Sequence, residues 1–174
     1  MPDVVTHVII AIVIIDIIRH FVKNKKAFPL YYIFIGGLAG LLPDADVFVE
    51  IIGKIFGATL TVHRIFTHTL VIPIILVIAG ILTMKIPAKK DSAAEFKLSN
   101  ILFVIALGWG IHLLLDFFIE GNIFPLWPFS GVGFGLNPNP SAFFSTRILP
   151  VLDGLILLAW LWHEEATKKI TDFF

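Results

Sequence analysis

Cysteine is absent from the 174-residue chain, which excludes disulfides and thiolate metal ligands and leaves the redox compartment unmarked. Charge is scarce as well: Asp, Glu, Lys and Arg make up 15% of the residues, with 13 basic against 13 acidic. A zero net charge offers no footing for nucleic acid. No basic cluster precedes the first apolar run, which opens Met1-Pro2-Asp3-Val4-Val5-Thr6-His7. A cleaved signal peptide needs such a cluster, so a retained first helix is expected. No internal repeat or low-complexity tract interrupts the chain. In place of charge there is apolar surface: hydrophobic residues are 57% of the total and the mean hydropathy is +0.93. A water-soluble domain of this size has no core large enough to hide so much of it, so lipid is the expected solvent. The length suits one domain, residues 1–174.

Five apolar stretches are candidates to cross a bilayer: residues 4–22, 31–42, 69–84, 98–119 and 148–162. The second and fifth are short for a full span, which implies tilt, a thinned bilayer or extension into the flanks. Gly36 and Gly40, and Ala106 and Gly110, stand four apart, a spacing that lets helix backbones approach closely in lipid. The expected fold is all-α, a polytopic bundle of about five transmembrane helices with one long extracytoplasmic loop.

Basic residues orient the bundle. Apart from Lys54, Arg64 and Arg147, every Lys and Arg lies at residues 19–28, at residues 85–97 or in the tail after Trp162. The positive-inside rule then places the N-terminus outside and the C-terminus in the cytoplasm of a cell-membrane protein. Two connections face outward. Residues 43–68 include a stretch, 47–60, that suits a short interfacial helix. Residues 120–146 are rich in Gly, Pro, Trp and Phe and nearly free of charge. An irregular loop of that length is usually functional, and Trp127 suits the headgroup boundary, so this segment is expected to dip into the interface and roof a site.

The ionisable residues gather on that same outward side. His7 opens the first helix; Asp44 and Asp46 follow the second; His63 and His68 precede the third; His112 and Asp116 lie on one face of the fourth, four residues apart. Taken singly, each has a structural explanation. A His at a helix end is most often an interfacial residue, Asp-x-Asp after Pro is a common turn or cap, and His112 with Asp116 can be a structural bridge. Their joint placement is what those explanations leave out, because ionisable groups at membrane depth are costly and by default functional. Imidazole with carboxylate suits zinc, or manganese or iron, as one or two ions. His7, Asp44, Asp46, His63, His68, His112 and Asp116 are the ligand candidates, and Asp46 is also a candidate general base. Asp46 or Asp116 can alternatively orient a His ring by accepting its second N–H.

Thr67 is placed to cap the third helix, whose N-terminus attracts anions. Arg64 either clamps a phosphate or carboxylate there or pairs with Asp44 or Asp46. Catalytic work is thus assigned to Asp46, Arg64 and Asp116. Elsewhere, Asp16 and His20 are expected to pair or snorkel, and His163 to sit with Glu164 and Glu165 at the cytoplasmic exit of the fifth helix. Asp153 is either a peripheral member of the site or a packing partner of Trp127 or Asn137.

The ordered set His7, Gly40-x-x-Pro43-Asp44-x-Asp46, His63-Arg64-x-x-Thr67-His68, His112-x-x-x-Asp116 and Pro125-Leu126-Trp127-Pro128-Phe129 resembles the YdjM-like membrane-bound metal-dependent hydrolases. It spans residues 7–130, with Thr69 where the family usually has Ser. The resemblance implies an integral membrane hydrolase that uses divalent metal. The His/Asp order is also similar to the zinc-dependent phospholipase C group, which implies phosphoester hydrolysis; the apolar loop around Trp127 is expected to admit an amphiphilic or phosphorylated small molecule from the outer leaflet. The rival class is a metal-binding carrier without hydrolysis. Transport sites usually lie near the bilayer midplane between structural repeats, whereas here the donors sit at helix ends and no repeat exists.

The cysteine-free background gives the orientation a direct test. Single cysteines at Lys25 and Lys90 are expected to react with an impermeant maleimide only from the cytoplasmic side, and one at Gly133 only from outside. Labelling of Gly133→Cys from the cytoplasm would reverse the orientation.

Overall fold

The computed structural model describes residues 4–58, 66–87, 89–90, 95–119, 123–136 and 147–167. Among these, six α-helices carry the fold: α1 (Val4–Phe21), α2 (Tyr31–Ala39), α3 (Asp46–Ile55), α4 (Val71–Leu82), α5 (Leu98–Ile119) and α6 (Leu149–Thr167). Among the described residues the paired strands are β1 (Lys89–Lys90) and β2 (Glu95–Phe96), an antiparallel ribbon two residues long.

The turn from α1 into α2 is written in polar residues. Lys25 Nζ donates to the terminal carbonyls of Arg19 and His20 at 2.5 and 2.8 Å, capping the last turn of the helix. The Asn24 side chain then caps the 3-10 turn Lys25–Ala27 by accepting from Lys26 N at 3.1 Å. α2 is ended by the Gly40–Pro43 region, and a 3-10 turn, Pro43–Ala45, leads directly into α3 with a bend of 48° between the two arms. α3 is the short helix expected within residues 47–60. It exposes Phe48, Ile51, Ile52 and Ile55, while Gly53 is buried.

α5 is the centre of the bundle and packs against α4, α2 and α1; α6 rests on α1. The core is small: Ala11 and Ile15 from α1, Tyr32 and Ile33 from α2, Val104 and Ile111 from α5. Close helix approach comes from glycine, as the spacing suggests, but with a changed partner. A Cβ on Gly108 would lie 2.2 Å from the carbonyl oxygen of Gly36, and one on Gly40 3.1 Å from the carbonyl oxygen of His7. Gly110, singled out from the sequence, meets nothing within 4 Å. Gly108 is two residues away and so on nearly the opposite face of α5.

Outside this core the surface is greasy. Ile74, Ile75, Ile78, Ile81 and Leu82 of α4 are all exposed, as are Val151, Leu155 and Leu158 of α6. A continuous apolar surface of this kind is one that lipid covers. α1 and α5 are each long and apolar enough to cross a membrane, and the bent pair α2–α3 makes a third if it is one broken span. α4 has 12 residues, and α6 carries Asp153, Glu164 and Glu165.

At the expected exit His163 and Glu165 are exposed, but not every acid of α6 is. Glu164 and Asp153 are buried, and Asp153 Oδ2 accepts from the Thr6 hydroxyl at 2.6 Å. Asp16 does not snorkel: it is buried, and the Trp160 indole N–H reaches it at 3.4 Å. The α1–α6 seam is therefore pinned by a polar contact near each end.

The Gly36–Gly108 contact predicts a sharp contrast. Gly108→Ala forces a methyl into a backbone oxygen, so the purified protein should lose about 1–3 kcal/mol of stability or more. Gly110→Ala should leave the thermal midpoint in detergent unchanged or slightly raised, since Ala is the better helix former. Equal midpoints for the two variants would show that the close approach carries no stability.

Candidate metal centre

Four separated segments deliver the ionisable residues to one place. His7 is in the first turn of α1, Asp44 in the turn between α2 and α3, His68 in the irregular segment before α4, and His112 and Asp116 on one face of α5. The segment carrying His68 is held on both sides. Thr69 Oγ1 donates to the carbonyls of Trp127 and Pro125 at 2.8 and 3.2 Å, and Leu70 N to Pro125 O at 2.9 Å. On the other side the Trp109 indole of α5 donates to Thr67 O at 3.0 Å. Residues 123–136 thus do fold back onto the site-bearing segment. They are closed on themselves by a bridge between Ile123 and Phe134.

The donors are close and dry. His68 Nε2 is 3.2 Å from Asp116 Oδ2, 3.4 Å from Asp44 Oδ1 and 3.1 Å from His112 Nε2. His112 Nε2 is 3.5 Å from Asp116 Oδ2 and 3.7 Å from Asp44 Oδ1. His7 stacks on His112 with ring centroids 3.8 Å apart and sets its Nε2 3.4 Å from Asp116 Oδ1. Side chains of the three His and Asp116 are 2% exposed or less, and Asp44, at 15%, is the most accessible. Two three-residue groups have donor atoms spaced to hold one ion: His68 with His112 and Asp116, and His7 with Asp44 and His112.

The tautomer of His112 follows from its partner. Its Nδ1 is 2.7 Å from the carbonyl oxygen of Gly40, and a carbonyl only accepts, so Nδ1 carries the hydrogen. Nε2 is left with its lone pair aimed at His68. Two facing imidazole nitrogens 3.1 Å apart require a proton or a cation between them. His7 Nδ1 and Asp116 Oδ1 are buried without a hydrogen-bond partner among the described residues. The donor set fits a divalent ion of the nitrogen- and oxygen-preferring kind.

Burial alone would lower the pKa of His68, but hydrogen bonds from its ring to Asp116 and Asp44 outweigh that and hold it above the ordinary histidine value.

Asp46 occupies a different position from Asp44. It belongs to neither three-residue group, and its Oδ2 lies 3.8 Å from Nδ1 of His68, the edge of the ring that faces away from the other donors. Thr67 does not cap α4, which begins at Val71 with no side-chain cap. Its hydroxyl donates to Asp46 Oδ2 at 2.6 Å and lies 3.0 Å from His68 Nδ1. His63 and Arg64 lie outside the described residues. Asp153 reaches the neighbourhood of the cluster through Thr6, next to His7, and not through Trp127. The sequence reading named Gly40 in its motif but missed the role of its carbonyl, and it missed Trp109, whose only trace is its place three residues before His112.

Comparison with known proteins agrees with the motif reading. No curated protein and no solved structure matches the chain. The family described as YdjM inner membrane protein matches it over residues 1–171. With a match across nearly the whole chain, apolar helices and a buried His/Asp cluster that can bind a metal ion, the chain belongs to the YdjM family of inner membrane proteins.

Proposed function

We propose that this protein is a membrane-bound metal-dependent hydrolase that acts at the extracytoplasmic face on the phosphoester of an amphiphilic substrate. The observation that carries this reading is the convergence of His7, His68, His112, Asp44 and Asp116 from four segments onto one buried centre, with donor atoms within 4.8 Å of one another in each candidate group. In this reading His68, His112 and Asp116 hold the ion, zinc first and manganese or iron next, with His7 and Asp44 beside it. A bound divalent cation brings the pKa of a coordinated water towards neutrality and polarises a phosphoryl oxygen. The chain supplies the rest. Asp116 and Asp44 bring anionic oxygens to the centre, Gly40 keeps the His112 ring in register, and Arg64 is assigned to the anionic group of the substrate.

Access favours an amphiphile. Asp44 is the most exposed donor. Next to its turn, a cavity of about 340 Å³ is bounded by Ala45, Asp46, Val49, Phe66 and Thr67, which combines apolar walls with one polar edge. A second, almost wholly apolar slot of about 470 Å³ lies between α5 and residues 123–136, lined by Leu113, Phe117, Ile123 and Phe134 among others. Sites of this size, mostly apolar with a few convergent polar groups, suit small amphiphilic ligands. The five-crossing arrangement with the N-terminus outside belongs to the same proposal: α4 and α6 would cross as short or tilted helices, with Asp153 hydrogen-bonded to Thr6.

Purified wild-type protein is expected to carry stoichiometric divalent metal and to hydrolyse at least one member of a phosphoester and phospholipid panel. His112→Ala and Asp116→Asn should each lose metal and activity together, with a fall in affinity beyond the about 10–100-fold typical for loss of an orienting partner. Metal bound at full occupancy with no hydrolysis across the panel, and metal flux into liposomes, would favour the carrier.

Metal affinity should also depend on pH with a fixed sign. The metal must displace the proton from His68 Nε2, so affinity rises with pH, by about tenfold per unit for one proton. Because the His68 pKa is held up, the rise should level off only above the ordinary histidine range. A pH-independent zinc affinity between the ordinary histidine range and mild alkalinity would contradict this assignment.

A further inference from the structure

Thr67 sits between an acid and a ligand candidate, and counting its one hydrogen decides what it does. Thr67 Oγ1 is 2.6 Å from Asp46 Oδ2 and 3.0 Å from His68 Nδ1. An ionised carboxylate only accepts. The hydroxyl hydrogen therefore goes to Asp46, because an oxygen–oxygen contact this short without a hydrogen between would be repulsive. Towards His68 the hydroxyl oxygen can then act only as an acceptor, so His68 Nδ1 must carry a hydrogen. Once the ring has lost its second proton, the remaining lone pair is on Nε2. That is the nitrogen that faces Asp116, Asp44 and His112 at 3.1–3.4 Å.

The geometry points to Thr67 as a positioning residue: with Asp46 behind it, its hydroxyl fixes the Nδ1–H tautomer of His68 and so leaves Nε2 free to bind the metal. Asp46 then works through two hydrogen bonds on the far edge of the ring, in the place that a carboxylate takes behind a ligating histidine, with a hydroxyl inserted between. The same logic holds at His112, where the Gly40 carbonyl plays the accepting part. Both rings present Nε2 to one centre, each held from behind by an acceptor. The position of Thr67 is itself fixed independently of the metal, because its carbonyl accepts from Trp109 and the next residues are tied to Pro125 and Trp127.

The tautomer assignment stands without any metal; only its consequence for affinity rests on the proposed metal centre. The test therefore has two readouts. Nitrogen-15 chemical shifts of His68 in the metal-free protein at alkaline pH, identified by their loss in His68→Gln, report which nitrogen holds the hydrogen. Competition with a chromophoric chelator reports the affinity for zinc alone. Thr67→Val matches the shape and removes the hydroxyl; it should convert His68 to a mixture of tautomers and weaken zinc binding about 10–100-fold. Thr67→Ser should restore both. Asp46→Asn, whose amide can donate to the hydroxyl and release its hydrogen towards His68, should move the tautomer in the same direction and supplies the test if Thr67→Val does not fold. A wild-type-like tautomer in both Thr67→Val and Asp46→Asn, or no rescue by serine, overturns the inference. A tautomer shift in a protein whose wild type binds no zinc upholds it and overturns the metal centre instead.

Discussion

Backbone contact between α2 and α5 is the constraint on which the site depends. With Gly36 and Gly108 facing each other, a carbonyl oxygen sits where a side chain on α5 would begin. That approach brings the C-terminal end of α2 against the middle of α5, so the Gly40 carbonyl can hold Nδ1 of His112 at 2.7 Å. Gly40 in turn lets the backbone of His7 come near. Three small residues thus set the separation of α1, α2 and α5, which carry His7, His112 and Asp116 and lead into the turn that carries Asp44. In lipid, where apolar burial between helices gains little over contact with acyl chains, such tight van der Waals packing is a main source of helix association.

A cluster of two carboxylates and three imidazoles is costly to bury. The imidazoles offset part of that cost, and only as far as they carry protons. Each donor has at least one atom turned to the common centre, and two of the buried atoms without a hydrogen-bond partner among the described residues, His7 Nδ1 and Asp116 Oδ1, belong to the same cluster. Two acids along α1 and α6 are instead engaged in pairs across the seam, Asp153 with Thr6 and Asp16 with Trp160. The contrast separates acids that hold helices together from acids arranged around a centre.

The 123–136 segment contributes rigidity rather than donors. Its Pro125 and Trp127 carbonyls accept from Thr69 and Leu70, which fixes the chain just after His68. Trp109 fixes it just before, from α5. A ligand histidine on an irregular segment needs this kind of support, because loops by themselves do not hold side chains to the tolerance that metal binding demands.

The sequence by itself determined that the chain is helical and built for lipid, and that His7, Asp44, His68, His112 and Asp116 belong together. Apolar composition and runs leave no other solvent, and the spacing of His112 and Asp116 on a helix allows only one shared face. It also made the short α3 helix legible, and the family through its motifs. Which residues make close contact was beyond it. The glycine spacing pointed to Gly110, whereas Gly108 is the residue that meets α2, because the rotation of α5 about its axis is set by all its neighbours together. Thr67 read as a helix cap, but α4 starts four residues later, since Thr69 and Leu70 are drawn to the 125–127 carbonyls. Asp44 and Asp46 both read as ligand candidates in Pro43-Asp44-Ala45-Asp46, with Asp46 alone also a candidate base or ring-orienting group; the bend into α3 sends one carboxylate to the Nε2 edge of His68 and the other to its Nδ1 edge. Tertiary structure decided these points because each depends on distances between segments far apart in the chain, which local spacing does not encode.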